Sequence, residues 1–105
     1  MKNKLLLRAG TRSPVALART SMAVAQAALP AFSSKYSKHD YTQAQLFTCL
    51  VLKEFFHAGY RDVIALLEDF SELREALGLA KDKLPDHSTL VKARQRLGKA
   101  VASAL

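Results

Sequence analysis

The sequence predicts an all-α fold, a small bundle of about five helices. Apolar residues recur at helical spacing through Leu46, Phe47, Leu50, Val51 and Phe55, and again through Tyr60, Val63, Ile64, Leu67 and Phe70. Start and stop residues frame these runs, and no useful stretch alternates apolar and polar residues as a half-buried strand would. Half of the 105 residues are apolar, which excludes wholesale disorder and allows one modest core.

Taken in chain order, Ser13 and Pro14 have the form of an N-cap and first helical residue, opening an alanine-rich helix over 15–28 that Pro30 ends. Its apolar stripe through Leu17, Val24 and Ala28 is thin, with Met22, Ala25 and Leu29 alongside, so this helix is expected to attach loosely. Residues 31–40 form a polar linker, and residues 1–40 together form a basic amino-terminal arm. Thr42 and Gln45 make a capping-box pattern for a second helix, with Gly59 as its expected left-handed stop. A third helix starts at Tyr60 and folds back on the second. Ser71 is expected to cap a short fourth helix that ends at Gly78, and Ser88 to cap a last helix burying Leu90, Leu97 and Val101. The compact unit is placed at residues 41–99, within a carboxy-terminal domain of residues 41–105. About 60 residues bury only roughly 60% of their unfolded surface, so added cover is expected from the first helix or from another chain.

Charge is distributed unevenly. The formal net charge is +7; residues 1–40 carry seven cations and one anion, residues 41–86 five and eight, and residues 87–105 four and none. The middle therefore reads as a scaffold between two basic ends, and the excess favours an anionic partner. The last helix carries Lys92, Arg94, Arg96 and Lys99 and is entered through Ser88 and Thr89, so its amino end is expected to offer backbone N–H groups to phosphate. Lys92, Arg96 and Lys99 share one side, Gln95 is suited to adenine, and Arg94 and Arg96 point to different sides, so at least one of these two is expected to meet phosphate or solvent instead of bases. A solvated basic face is the plain alternative.

Other chemistries find little support. The single cysteine, Cys49, permits no internal disulfide and reads as a small core residue. His39, His57 and His87 are too widely spaced for a metal site, and no cofactor is called for. The acids Asp62, Glu68, Asp69, Glu72 and Glu75 read as solvated surface and helix-end partners. No glycine-rich phosphate loop or nucleophile motif is present. No apolar run approaches the roughly 20 residues of a membrane span, while the acid-free start also suits an organellar transit peptide cleaved near Leu29.

The order of the segments carries a resemblance: Tyr36-Ser-Lys-His-Asp-Tyr-Thr-Gln-Ala-Gln-Leu46, Tyr60-Arg-Asp-Val-Ile-Ala-Leu-Leu-Glu-Asp69, Leu77-Gly-Leu79, Pro85-Asp-His-Ser-Thr-Leu90 and Arg94-Gln-Arg-Leu97. Over about residues 32–97 the chain resembles the amino-terminal domain of bacterial insertion-sequence DDE transposases. The resemblance implies a helix-turn-helix-like carboxy-terminal part and binding of double-stranded DNA at the element ends in a bacterial cytoplasm, at the nucleoid. By position, Ser88, Thr89, Lys92 and Arg94 inherit binding roles, joined from the charge pattern by Gln95, Arg96 and Lys99. In that family two aspartates and a glutamate hold two magnesium ions on an α/β domain that would follow Leu97. With the sequence ending at Leu105, no catalytic activity is expected. Association with itself or with a full-length transposase is the alternative role.

Overall fold

Helix α2 (Gln43–Phe55) is the hub, because a helix that is apolar on nearly every side must be covered on nearly every side. Residues 46–52 are all buried, with Cys49, Leu50 and Val51 fully so. The computed structural model describes residues 13–32 and 40–104. Around α2 lie α1 (Pro14–Ala28), α3 (Tyr60–Asp69), α4 (Ser71–Leu77) and α5 (His87–Ala104), with no strand among the described residues. The expected all-α class holds. Helices α1, α3 and α5 all pack on α2; α4 packs on α1 and α3, and α3 also on α5.

The first helix departs from its expected loose attachment. It buries Leu17, Ala18, Ser21 and Ala25 against α2 and α4, while Val24 is half-buried and Ala28 exposed. The reason is size: small residues at 18, 21 and 25 bring the two helix backbones close, so the contact is made without bulky side chains. Core residues therefore run from Leu17 to Val101, and α1 supplies the cover that residues 41–99 were expected to need. Gln43 ties the two together, its backbone N–H donating to the Ala31 carbonyl at 2.7 Å and its side chain to the Pro30 carbonyl at 3.0 Å. Of the expected linker, residues 33–39 lie outside the described residues.

Chain reversals are set by caps, some of them not where the sequence suggested. Ser13 caps α1, accepting from the Ala16 N–H, and Thr42 and Gln45 form the expected capping box. Gly59, expected as a left-handed stop, is extended (φ −79°, ψ 172°) and begins α3 instead, its N–H donating to the Asp62 carboxylate at 3.2 Å. The left-handed residue is His57 (φ 53°). Its N–H donates to the Glu54 carbonyl and the Ala58 N–H to the Lys53 carbonyl, the paired bonds of a Schellman ending, which need only one left-handed residue. Gly78 (φ 71°) ends α4 in the same way, as expected. Ser71 is the first residue of α4 and not its cap; that position falls to Phe70, which makes no side-chain cap bond.

Two polar side chains couple helix ends to each other. Gln45, besides closing the capping box, donates to the Leu77 carbonyl at 2.9 Å. Arg74 donates to the Leu67 and Glu68 carbonyls at 2.7 and 2.6 Å, satisfying the open end of α3.

Candidate nucleic-acid interface

Helix α5 is oriented by what it buries. Leu90, Ala93, Leu97 and Val101 are all buried, and at about 100° per residue they fall within one stripe against α2 and α3. The opposite side is thereby committed to solvent. Ser88, Lys92, Gln95, Arg96 and Lys99 lie on it, and every one is exposed. The structure thus brings Lys92, Arg96 and Lys99 into one row on successive turns. Gly98 lies off this row, on the flank beside Arg94, where a β-carbon would meet only the Arg94 side chain, at 3.7 Å.

Arg94 is set apart. It lies at the flank of the buried stripe, where its guanidinium reaches the Glu54 carboxylate at 3.5 Å. Glu54 also lies 3.6 Å from Lys53, whose ammonium sits 4.8 Å from the centre of the Tyr60 ring. These half-exposed pairs are worth little individually, but they assign Arg94 to the α2 side of the molecule.

The amino end of α5 is also arranged differently from expectation. Asp86, not Ser88, is the cap: its carboxylate accepts the Thr89 N–H at 2.8 Å and the Ser88 hydroxyl at 2.8 Å, and its carbonyl accepts the Leu90 N–H. An aspartate serves as well as a serine at this position, and here it comes first in the chain. The Thr89 backbone N–H, chief among these donors, holds the Asp86 carboxyl down to about 2, helped by the Ser88 and Thr89 hydroxyls. The helix end therefore already holds an anion. Part of the expected cradle of N–H groups is thus taken up by the protein itself: the Thr89 N–H is bound to Asp86, and the Ser88 hydroxyl helps to hold that carboxylate in place.

One cation missed by the sequence reading joins this end. Arg61, in the first turn of α3, lies with its guanidinium 3.4 Å from Nε2 of His87, both exposed. Its signal was present in the Tyr60-Arg61 segment, but only the packing of α3 against α5 shows where it points. The connection between α4 and α5, residues 78–86, is longer than the turn of a tight helix-turn-helix, and it is anchored by the buried Pro85.

The acids do not form a competing site. Glu68, Asp69, Glu72 and Glu75 are exposed on α3 and α4, and no group of three or more His, Cys, Asp or Glu side chains converges as metal ligands among the described residues. This donor set does not fit a magnesium pair. Cys49 is sealed in the core, where burial pushes its thiol up to about 12. No described helix is long and apolar enough to cross a membrane.

Comparison with known proteins adds one finding. The model of a family described as a transposase domain (DUF772) matches residues 13–96, a span that begins at the cap of α1 and reaches into α5. No curated protein and no solved structure matches.

Proposed function

The chain belongs to the transposase-domain family DUF772, and from that premise we propose that it is a DNA-recognition module of an insertion-sequence transposase, acting through the outer side of α5. The observation that carries this reading is the solvent-facing row of Lys92, Arg96 and Lys99 opposite the buried stripe of the same helix. Cations spaced along one side of a helix can neutralise successive phosphates while Gln95, between them, faces base edges. Ser88 and Thr89 act chiefly by fixing the start of the helix, and Arg61 extends the basic surface onto α3. Target preference for the element ends and a loosened helix-turn-helix-like presentation belong to the same proposal. So does the absence of strand cleavage by these residues, whose acids are dispersed on the surface.

Anisotropy titrations of a short labelled duplex at several salt concentrations test it. Each phosphate contact adds about one unit of negative slope to log affinity against log salt, so a slope of several units is expected. The K92A/R96A double variant should bind at least about tenfold more weakly and lose about two units of slope. A slope near zero, or an unaltered double variant, removes the proposal.

A second reading, association with itself or with a longer transposase, draws on the exposure of Phe56 (37%) and Phe70 (53%). Sedimentation that gives one monomeric mass at all concentrations, with or without a longer transposase, discards it.

A further inference from the structure

We propose that the apolar groove where α1, α3 and α4 meet is the docking site of this chain's own amino-terminal segment, with Leu5, Leu6 and Leu7 as the anchor. The groove encloses about 450 Å³ and starts at Pro14. Val15, Leu66 and the exposed rings of Phe56 and Phe70 form its apolar lining, and Asp69 and Glu72 stand on it as acids. Neither acid is ion-paired among the described residues. An exposed apolar surface with unpaired acids calls for a segment that is apolar at its centre and cationic at its flanks.

Residues 1–12 lie outside the described residues, and their sequence has that chemistry. Lys2 and Lys4 precede the three leucines, Arg8 and Arg12 follow them, and no acid occurs. Their position in the chain is equally suitable. Leu7 is six residues from Ser13, a reach of at most about 20 Å, and the groove begins at the next residue. Because the contact is intramolecular, its effective concentration is high and a small apolar area suffices. The proposal does not depend on DNA binding; it assigns the arm's cations to the acids of α3 and α4 instead of to α5's ligand.

A nitroxide on Asn3→Cys in the full-length, nitrogen-15-labelled chain tests it, since the buried Cys49 thiol stays unreactive near neutral pH. Amide signals of Val15, Leu66 and Phe70 should lose height several-fold relative to Lys92, and a D69K/E72K background should largely restore them. Broadening that is absent, or equal on α5, overturns the proposal. Equal broadening in a mixture of nitroxide-bearing unlabelled chains with isotope-labelled chains lacking the nitroxide also overturns it, because the groove would then belong to a second copy.

Discussion

Asp86 shows how one side chain can settle the character of a helix end. It caps α5, draws the Ser88 hydroxyl and Thr89 N–H inward, and leaves a carboxylate where a free positive dipole was expected. Its folded value of about 2 lies below the ordinary 3.8, so its contribution to stability is complete above pH 4 and is lost as pH falls through about 2. An Asp86→Asn variant, whose amide oxygen still caps but does not titrate, should therefore show a flatter decline in thermal midpoint between about pH 4 and 2. His57 makes the complementary case. A residue with a β-carbon at φ 53° carries a backbone cost of about 1 kcal/mol, and its side chain is exposed. His57→Gly should raise the unfolding free energy extrapolated from a urea titration by about that amount.

At the scale of elements, the capping-box glutamine does more than start a helix. Gln45 bonds the Thr42 N–H within α2 and the Leu77 carbonyl beyond it, so one amide fastens α2 to the end of α4. Gln45→Ala should cost about 1–2 kcal/mol by denaturant unfolding and speed amide exchange at both Thr42 and Gly78. The same residue marks the boundary of what could be read from the chain alone. Helical periodicity located α2, α3 and α5, and local chemistry located the Thr42–Gln45 and Gly78 ends, because these depend on neighbours within a few residues. Gln45's second bond, Arg74's bonds to the end of α3 and the tight seat of α1 depend on which helices meet. Bulky residues dominate a periodicity reading, so the small stripe Ala18, Ser21 and Ala25 looked weak although it is the close contact. Local signals also competed at Asp86 and Ser88, where either residue type makes a good cap and only geometry showed which one acts.

For the molecule as a whole, charge and packing divide the work between faces. The exposed row on α5 is cationic, α3 and α4 carry the acids, and α2 is almost wholly interior. Of the residues singled out from sequence, Lys92, Gln95, Arg96 and Lys99 fall on one outward side, whereas Arg94 turns toward Glu54. That division was half legible: the stripe Leu90, Leu97 and Val101 fixed the outward side, but the partner of Arg94 sits some 40 positions away on another helix. It also separates two outcomes. Arg96→Ala should weaken duplex binding and reduce its salt slope by about one unit, while Arg94→Ala should leave both nearly unchanged.

The seating of α5 on either side of Gly98 has a mechanical consequence for this division. Helix α5 is about 27 Å long and is held on both sides of the glycine by the buried Leu97 and Val101. The glycine removes one side chain from the turn between Arg96 and Lys99, while the buried residues on either side keep that turn seated on the core. Lys99 stands between those two anchors, so the pitch of the charged row is set by how Leu97 and Val101 are seated and not by the glycine.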